Sequence, residues 1–114
     1  MSPVRVQRQR TKGWRMPEAT TYVGRPTYWG NNFAVGNVYW FTTLNGQFGG
    51  TVQSLEHSVR IHREYVLFSD SENGRAFRDL VRRELTGKDL ACWCPLDKPC
   101  HADVLLDLAN EVSA

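Results

Sequence analysis

No stretch of this 114-residue chain approaches the roughly 20 consecutive apolar residues that a membrane-spanning helix needs. The opening Met-Ser-Pro-Val-Arg-Val-Gln-Arg-Gln-Arg has charge but no apolar core, which excludes reading it as a secretory signal. Internal repeats, low-complexity tracts and linkers are missing too, so one domain over residues 1–114 is expected. The three cysteines are an odd number and cannot close a disulfide framework without a remainder. These absences predict a cytoplasmic protein with reduced thiols and no membrane partner. Residues 1–15 lack acids altogether. Arg5, Arg8, Arg10, Lys12 and Arg15 give them +5, while the remainder carries −3. A basic segment with Trp14 embedded in it suits phosphate, on nucleic acid or on a nucleotide. It equally suits an edge strand kept soluble by arginines.

What is present orders itself into short elements. Val4–Arg10 alternates as a strand, with Val4 and Val6 on one side and Arg5 on the other. Thr20–Val23 predicts a second strand running into the turn at Gly24-Arg25-Pro26. Val38–Leu44 is aromatic and β-branched, and Asn45-Gly46 behind it signals a type I′ hairpin with Gln47–Phe48 returning. Thr51 is expected to cap a helix running to about Phe68, with Val52, Leu55, Val59, His62 and Val66 as its apolar stripe. Arg60 and Glu64 read as its solvated surface. A second helix is expected over Gly74–Leu85, stopped by Gly87. Leu90–Cys94 is an apolar run too short for a helix and reads as a buried central strand. A last helix is expected over His101–Val112, with Asp103 in its first turn. The order predicts a small α/β or α+β domain, three-layered and Rossmann-like, with a short central sheet, an inserted hairpin and about three helices.

All three cysteines, Cys92, Cys94 and Cys100, fall within nine residues beside His101. On a strand, Cys92 and Cys94 share a face, and Cys100 precedes a helix whose N-terminus favours a thiolate. Three readings stand. In one, Cys92, Cys94, Cys100 and His101 hold zinc, the ligand count being right but the Cys-x-Cys spacing unusual; His62 is the substitute for an awkward His101. In another, Cys94 or Cys100 is a nucleophile with His101 as its acid–base partner. In the third, the cysteines are small core residues and Cys100-His101 a helix cap.

The loop Gly24–Phe33 combines an arginine, aromatics, two glycines and paired amides. That mixture suits a nucleotide, with Arg25 for phosphate, Tyr28 or Trp29 for a base face and Asn31 for a base edge or sugar hydroxyl. Gly24 and Gly30 allow backbone to approach a ligand closely. The alternative is a tight loop in which Trp29 and Phe33 plug the core and Asn31 bonds backbone.

Gly24-Arg-Pro-Thr-x-Trp-Gly-Asn31 followed by Gly87-Lys-x-Leu-x-Cys-Trp-Cys-Pro-x(3)-Pro-Cys-His-Ala-Asp-Val-Leu105 resembles the domain of unknown function 4326, a family found mainly in bacteriophages and actinobacteria. The cysteine-rich end is also similar to the domain of unknown function 488. The resemblance covers about two-thirds of the chain and implies no established activity. Two departures, Asn32 where the family usually has proline and an inserted Gly36–Gly50, leave the shape of the loop open. The expectation is that the two motifs meet at one sheet edge. Arg25 and the last helix would face an anion, Tyr28 or Trp29 would form a wall, and Cys94, Cys100, His101 and Asp103 would supply chemistry. The expected activity is modification of a nucleotide or nucleic acid. The rival expectation is a zinc-stabilised module that binds nucleic acid or protein.

Overall fold

The computed structural model describes residues 3–110. Its elements are β1 (Arg5–Gln7), β2 (Thr20–Tyr22), β3 (Val38–Thr43), β4 (Gly46–Thr51), α1 (Leu55–Phe68), α2 (Glu72–Leu85), β5 (Asp89–Cys92) and α3 (His101–Ala109). The fold is mixed α/β, with a three-stranded parallel sheet ordered β1-β5-β2 and a separate antiparallel hairpin, β3-β4. The last strand therefore sits between the first two, with Leu90 beside both Arg5 and Thr21. Its unbroken Leu90-Ala91-Cys92 run is buried, as a strand flanked on both edges demands. Because all three strands are parallel, their carboxyl ends come out along one edge.

Helix α3 lies against β5 and β1, and α1 and α2 pack against α3. Val104, Leu105 and Leu108 of α3 meet Leu90, Val59, Val81 and Leu85 in the main core. The hairpin is inserted between β2 and α1 and closes a smaller core of Phe41, Val52 and Ile61. Fully burying side chains of this size stabilises by about 1.5–3 kcal/mol each, which concentrates the fold's stability on the α3 side of β5.

Several boundaries differ from expectation, each for a local reason. Thr51 does not cap α1, because it is paired with Val38 in the hairpin; Ser54 caps instead, its hydroxyl accepting from the His57 N–H at 3.0 Å. Ser71 likewise caps α2, which begins at Glu72, two residues ahead of the expected start at Gly74. The hairpin corner is Leu44-Asn45, and Gly46 rather than Asn45 takes positive φ, at 120°. Glu64 on α1 fixes this corner, since it accepts from the Thr43 hydroxyl and the Asn45 amide, both at 2.8 Å. Glu64 is thus a tether rather than a solvated surface residue. β5 ends at Cys92, not Cys94. α3 ends at Ala109 with Asn110 as its C-cap, short of the expected Val112, and positions 111–112 lie outside the described residues.

The largest departure is at β1. Val4 is 55% exposed, while the Arg5 side chain, assigned by alternation to the outer side, is 8% exposed. A guanidinium is buried only where its donors find acceptors. Arg5 finds them for Nη2 in the loop that carries the cysteines, while Nη1 has no hydrogen-bond partner among the described residues.

Candidate functional site

The chain leaves β5 at Cys92 and bends through Trp93 and Cys94, so the next sulfur swings back toward the first. The Cys92 and Cys94 sulfurs lie 3.8 Å apart, closer than a straight strand would bring them. Cys100, the residue before α3, closes the group, and all three sulfurs lie within 4.8 Å of one another. The loop between them is held from below by Arg5, whose Nη2 donates to the carbonyls of Pro95 (3.2 Å), Leu96 (2.8 Å) and Lys98 (2.8 Å). Its Nη1 lies 3.3 Å from Asp103 on α3. Arg5 therefore ties the first strand to both ends of the cysteine loop.

The three thiols settle charge among themselves. Cys92 is pushed well below the usual thiol range because Cys100, and then Cys94, donate S–H bonds to it. Cys100 is pushed strongly up, first because it is that donor to Cys92, and Cys94 is raised as well. One negative charge is thus accommodated easily and further ones are opposed by like-charge repulsion. The expectation that the helix N-terminus would make Cys100 the low-pKa nucleophile is reversed. The thiolate is favoured at Cys92.

The donor set fits a soft metal ion. Three thiolates suit zinc. Tetrahedral bonds of about 2.3 Å place sulfurs about 3.8 Å apart, which matches the Cys92–Cys94 separation. His101 does not join the group. Its Nε2 donates to the Val23 carbonyl at 2.7 Å, and its Nδ1 lies 3.7 Å from the Cys100 sulfur. This bond ties the start of α3 to the end of β2. His62 lies outside the group as well, its ring edge-on to His101 with centroids 5.6 Å apart.

The two sequence motifs do meet. Gly24, Arg25 and Asn31 line a cleft of about 400 Å³ together with Cys92, Cys94, Cys100 and His101. The parallel sheet explains the meeting, since β2 and β5 release both loops at the same edge. The aromatic wall is not the expected one. Tyr22, Phe33 and Trp93 line this cleft. Tyr28 and Gly30 line a second cavity, and Trp29 packs on Phe77 and the main core. Asp103 faces Arg5 and lines neither cavity. Asn31 is spent on structure, its amide donating to Ser58 Oγ at 2.9 Å and its Oδ1 accepting from the Phe33 N–H. Arg25 uses Nε to hold the Asn31 carbonyl at 2.7 Å, and its two Nη groups have no partner among the described residues.

The basic N-terminal segment ends on the same rim. The Arg8 guanidinium lies over Tyr22 and Trp93, and Arg10 lies over the Trp93 ring at 4.4 Å. Sequence reasoning missed Arg5, Tyr22 and Trp93. Only the position of Trp93 between two cysteines could have signalled one of them.

His62 is 4% exposed, and burial, then His101 and Arg63, lower its pKa to about 3. It is neutral in the fold, whereas the unfolded chain takes up a proton below about pH 6.5, so its share of stability is full above that pH and falls as acid is added. Between about pH 7.5 and 5 the loss is about 2 kcal/mol, nearly independent of how far below 4 the folded value lies. Urea unfolding at both pH values should show this difference in the parent and not in His62→Gln. Equal pH dependence in the two proteins would refute it.

Fold and site define a small mixed α/β domain with a three-thiol cleft at the carboxyl edge of a parallel sheet. The chain belongs to the family described as Domain of unknown function (DUF4326), whose model matches residues 6–111. No curated protein and no solved structure matches it. No helix among the described residues is long and apolar enough to cross a membrane.

Proposed function

We propose that Cys92, Cys94 and Cys100 hold a zinc ion, and that the cleft beside it binds and turns over a phosphorylated small molecule of nucleotide size. One observation carries this reading: the three clustered cysteines and Arg25 line the same cleft. Zinc held by Cys92, Cys94 and Cys100 would supply a Lewis acid to the cleft. Arg25 offers two free Nη groups for an anionic oxygen, and Tyr22, Phe33 and Trp93 offer apolar walls for a flat ring. His101, fixed by the Val23 carbonyl, presents Nδ1 3.7 Å from the Cys100 sulfur, within reach of a proton exchanged there. Reduced thiols at the centre suit a cytoplasmic setting.

The test is the melting temperature of the zinc-loaded protein with adenosine monophosphate, with inorganic phosphate as competitor. A stabilising shift is expected, and Arg25→Ala should weaken binding by about 10- to 100-fold, the worth of a charge-assisted hydrogen bond. A folded Arg25→Ala protein that binds as the parent does would remove Arg25 from the site.

The stacking of Arg8 and Arg10 on Trp93 supports a second reading, in which the rim is a platform for single-stranded nucleic acid. Affinity for an oligonucleotide that falls steeply with salt, and with Trp93→Ala, would favour it over the small-molecule site.

A further inference from the structure

The Gly24–Phe33 loop contributes to two cavities. Beyond the sulfur cleft, a second cavity of about 710 Å³ is walled by Tyr28, Phe33, Tyr65 and Phe77, with His62 and Asn73 among its polar groups. Its size is that of sites for drug-sized ligands. The Tyr28 and Phe77 rings stand 5.5 Å apart at 40°. Tyr28 is 65% exposed although it is part of this wall. His62, almost wholly buried, leaves Nδ1 without a hydrogen-bond partner among the described residues. Nδ1 is wholly enclosed, at a cost of about 1–3 kcal/mol, so the nitrogen left for a ligand is Nε2, which has no hydrogen-bond partner among the described residues.

We propose that this second cavity is a binding site for a neutral, planar heteroaromatic molecule, stacked against Tyr28 and Phe77 and hydrogen-bonded to His62. The chemistry of the lining selects this class. Among the described residues no lysine, arginine, aspartate or glutamate lines the cavity, so a carboxylate or phosphate finds no counter-charge there. A quaternary ammonium would find aromatic faces but no carboxylate, and it has no hydrogen to share with His62. A neutral ring with a hydrogen-bonding edge satisfies both the faces and the imidazole. The site is separate from the sulfur cleft and does not rest on metal binding there.

The test is aromatic-resonance NMR of the full chain, titrated separately with millimolar adenosine, uridine and indole, with tetramethylammonium as the cationic probe. At least one neutral ring should shift the His62 and Tyr28 signals, and inorganic phosphate should not displace it. Tyr28→Ala should weaken that binding about tenfold or more, as loss of one stacking face does. Because Tyr28 is exposed, this variant keeps its fold and decides the matter even if His62→Leu, expected to abolish binding, fails to fold. Silence from all three rings would overturn the proposal. So would shifts confined to Trp93, binding of tetramethylammonium alone, or an unchanged affinity in Tyr28→Ala.

Discussion

Replacing Cys92 by serine is expected to strip the purified protein of its metal. The parent should carry one zinc per chain by elemental analysis, and the variant close to none. Zinc at a four-ligand site is bound with about 10–16 kcal/mol at neutral pH, roughly 3 kcal/mol per ligand, so losing one thiolate costs about a hundredfold or more in affinity. Cys94→Ser and Cys100→Ser should behave alike, since the three sulfurs form one compact set. Metal bound only to the folded protein raises its stability by mass action, so the parent should melt lower after chelation and Cys92→Ser should not change. A parent that purifies without metal and ignores both added zinc and chelator would end the metal reading. The same three residues would then be a buried thiol cluster with charge favoured at Cys92.

Arg5→Met should reach the same site without touching a ligand. The change keeps the length of the side chain but removes the donors to Pro95, Leu96 and Lys98 and the charge opposite Asp103. The Asp103 side chain is 44% exposed, so the ion pair itself contributes little. The carbonyls regain water in part, which puts the expected loss at about 2–3 kcal/mol of unfolding free energy. Zinc affinity should fall as well, because the loop joining Cys94 to Cys100 loses its inner support. Arg5→Lys should recover only part of both effects, since an ammonium cannot reach three carbonyls and a carboxylate from one position. Urea unfolding and a zinc titration of the three proteins check this. If Arg5→Met unfolds like the parent and binds zinc as tightly, the tie is ornamental.

How much of this was legible depended on how far each residue's role is set by its neighbours in sequence. The Leu90-Ala91-Cys92 part of the expected Leu90–Cys94 strand was legible because an unbroken apolar run leaves few other choices, and its central place follows from that burial. The convergence of the Gly24 and Cys92 loops was legible because parallel strands release loops on one side. Arg5 was not, since alternation assigns a side and cannot foresee three carbonyls arriving from residues 95–98. Trp29 and Trp93 have the same chemistry on paper; only the packing of Phe77 draws Trp29 inward and leaves Trp93 at the cleft. His101 has two nitrogens that a sequence cannot rank, and the Val23 carbonyl takes one of them. The hairpin corner moved by one residue because Glu64, nineteen positions from Asn45, holds it.

The placement of β5 between β1 and β2 bears on how the protein is made. Val4 and its partner Asp89 are 85 residues apart in the chain, and neither outer strand has a parallel neighbour until β5 has been synthesised. Closing so long a loop slows folding, so the sheet is expected to form after α1, α2 and the hairpin, which precede β5 in the chain. The thiol cup, built on the last strand to arrive, is completed last.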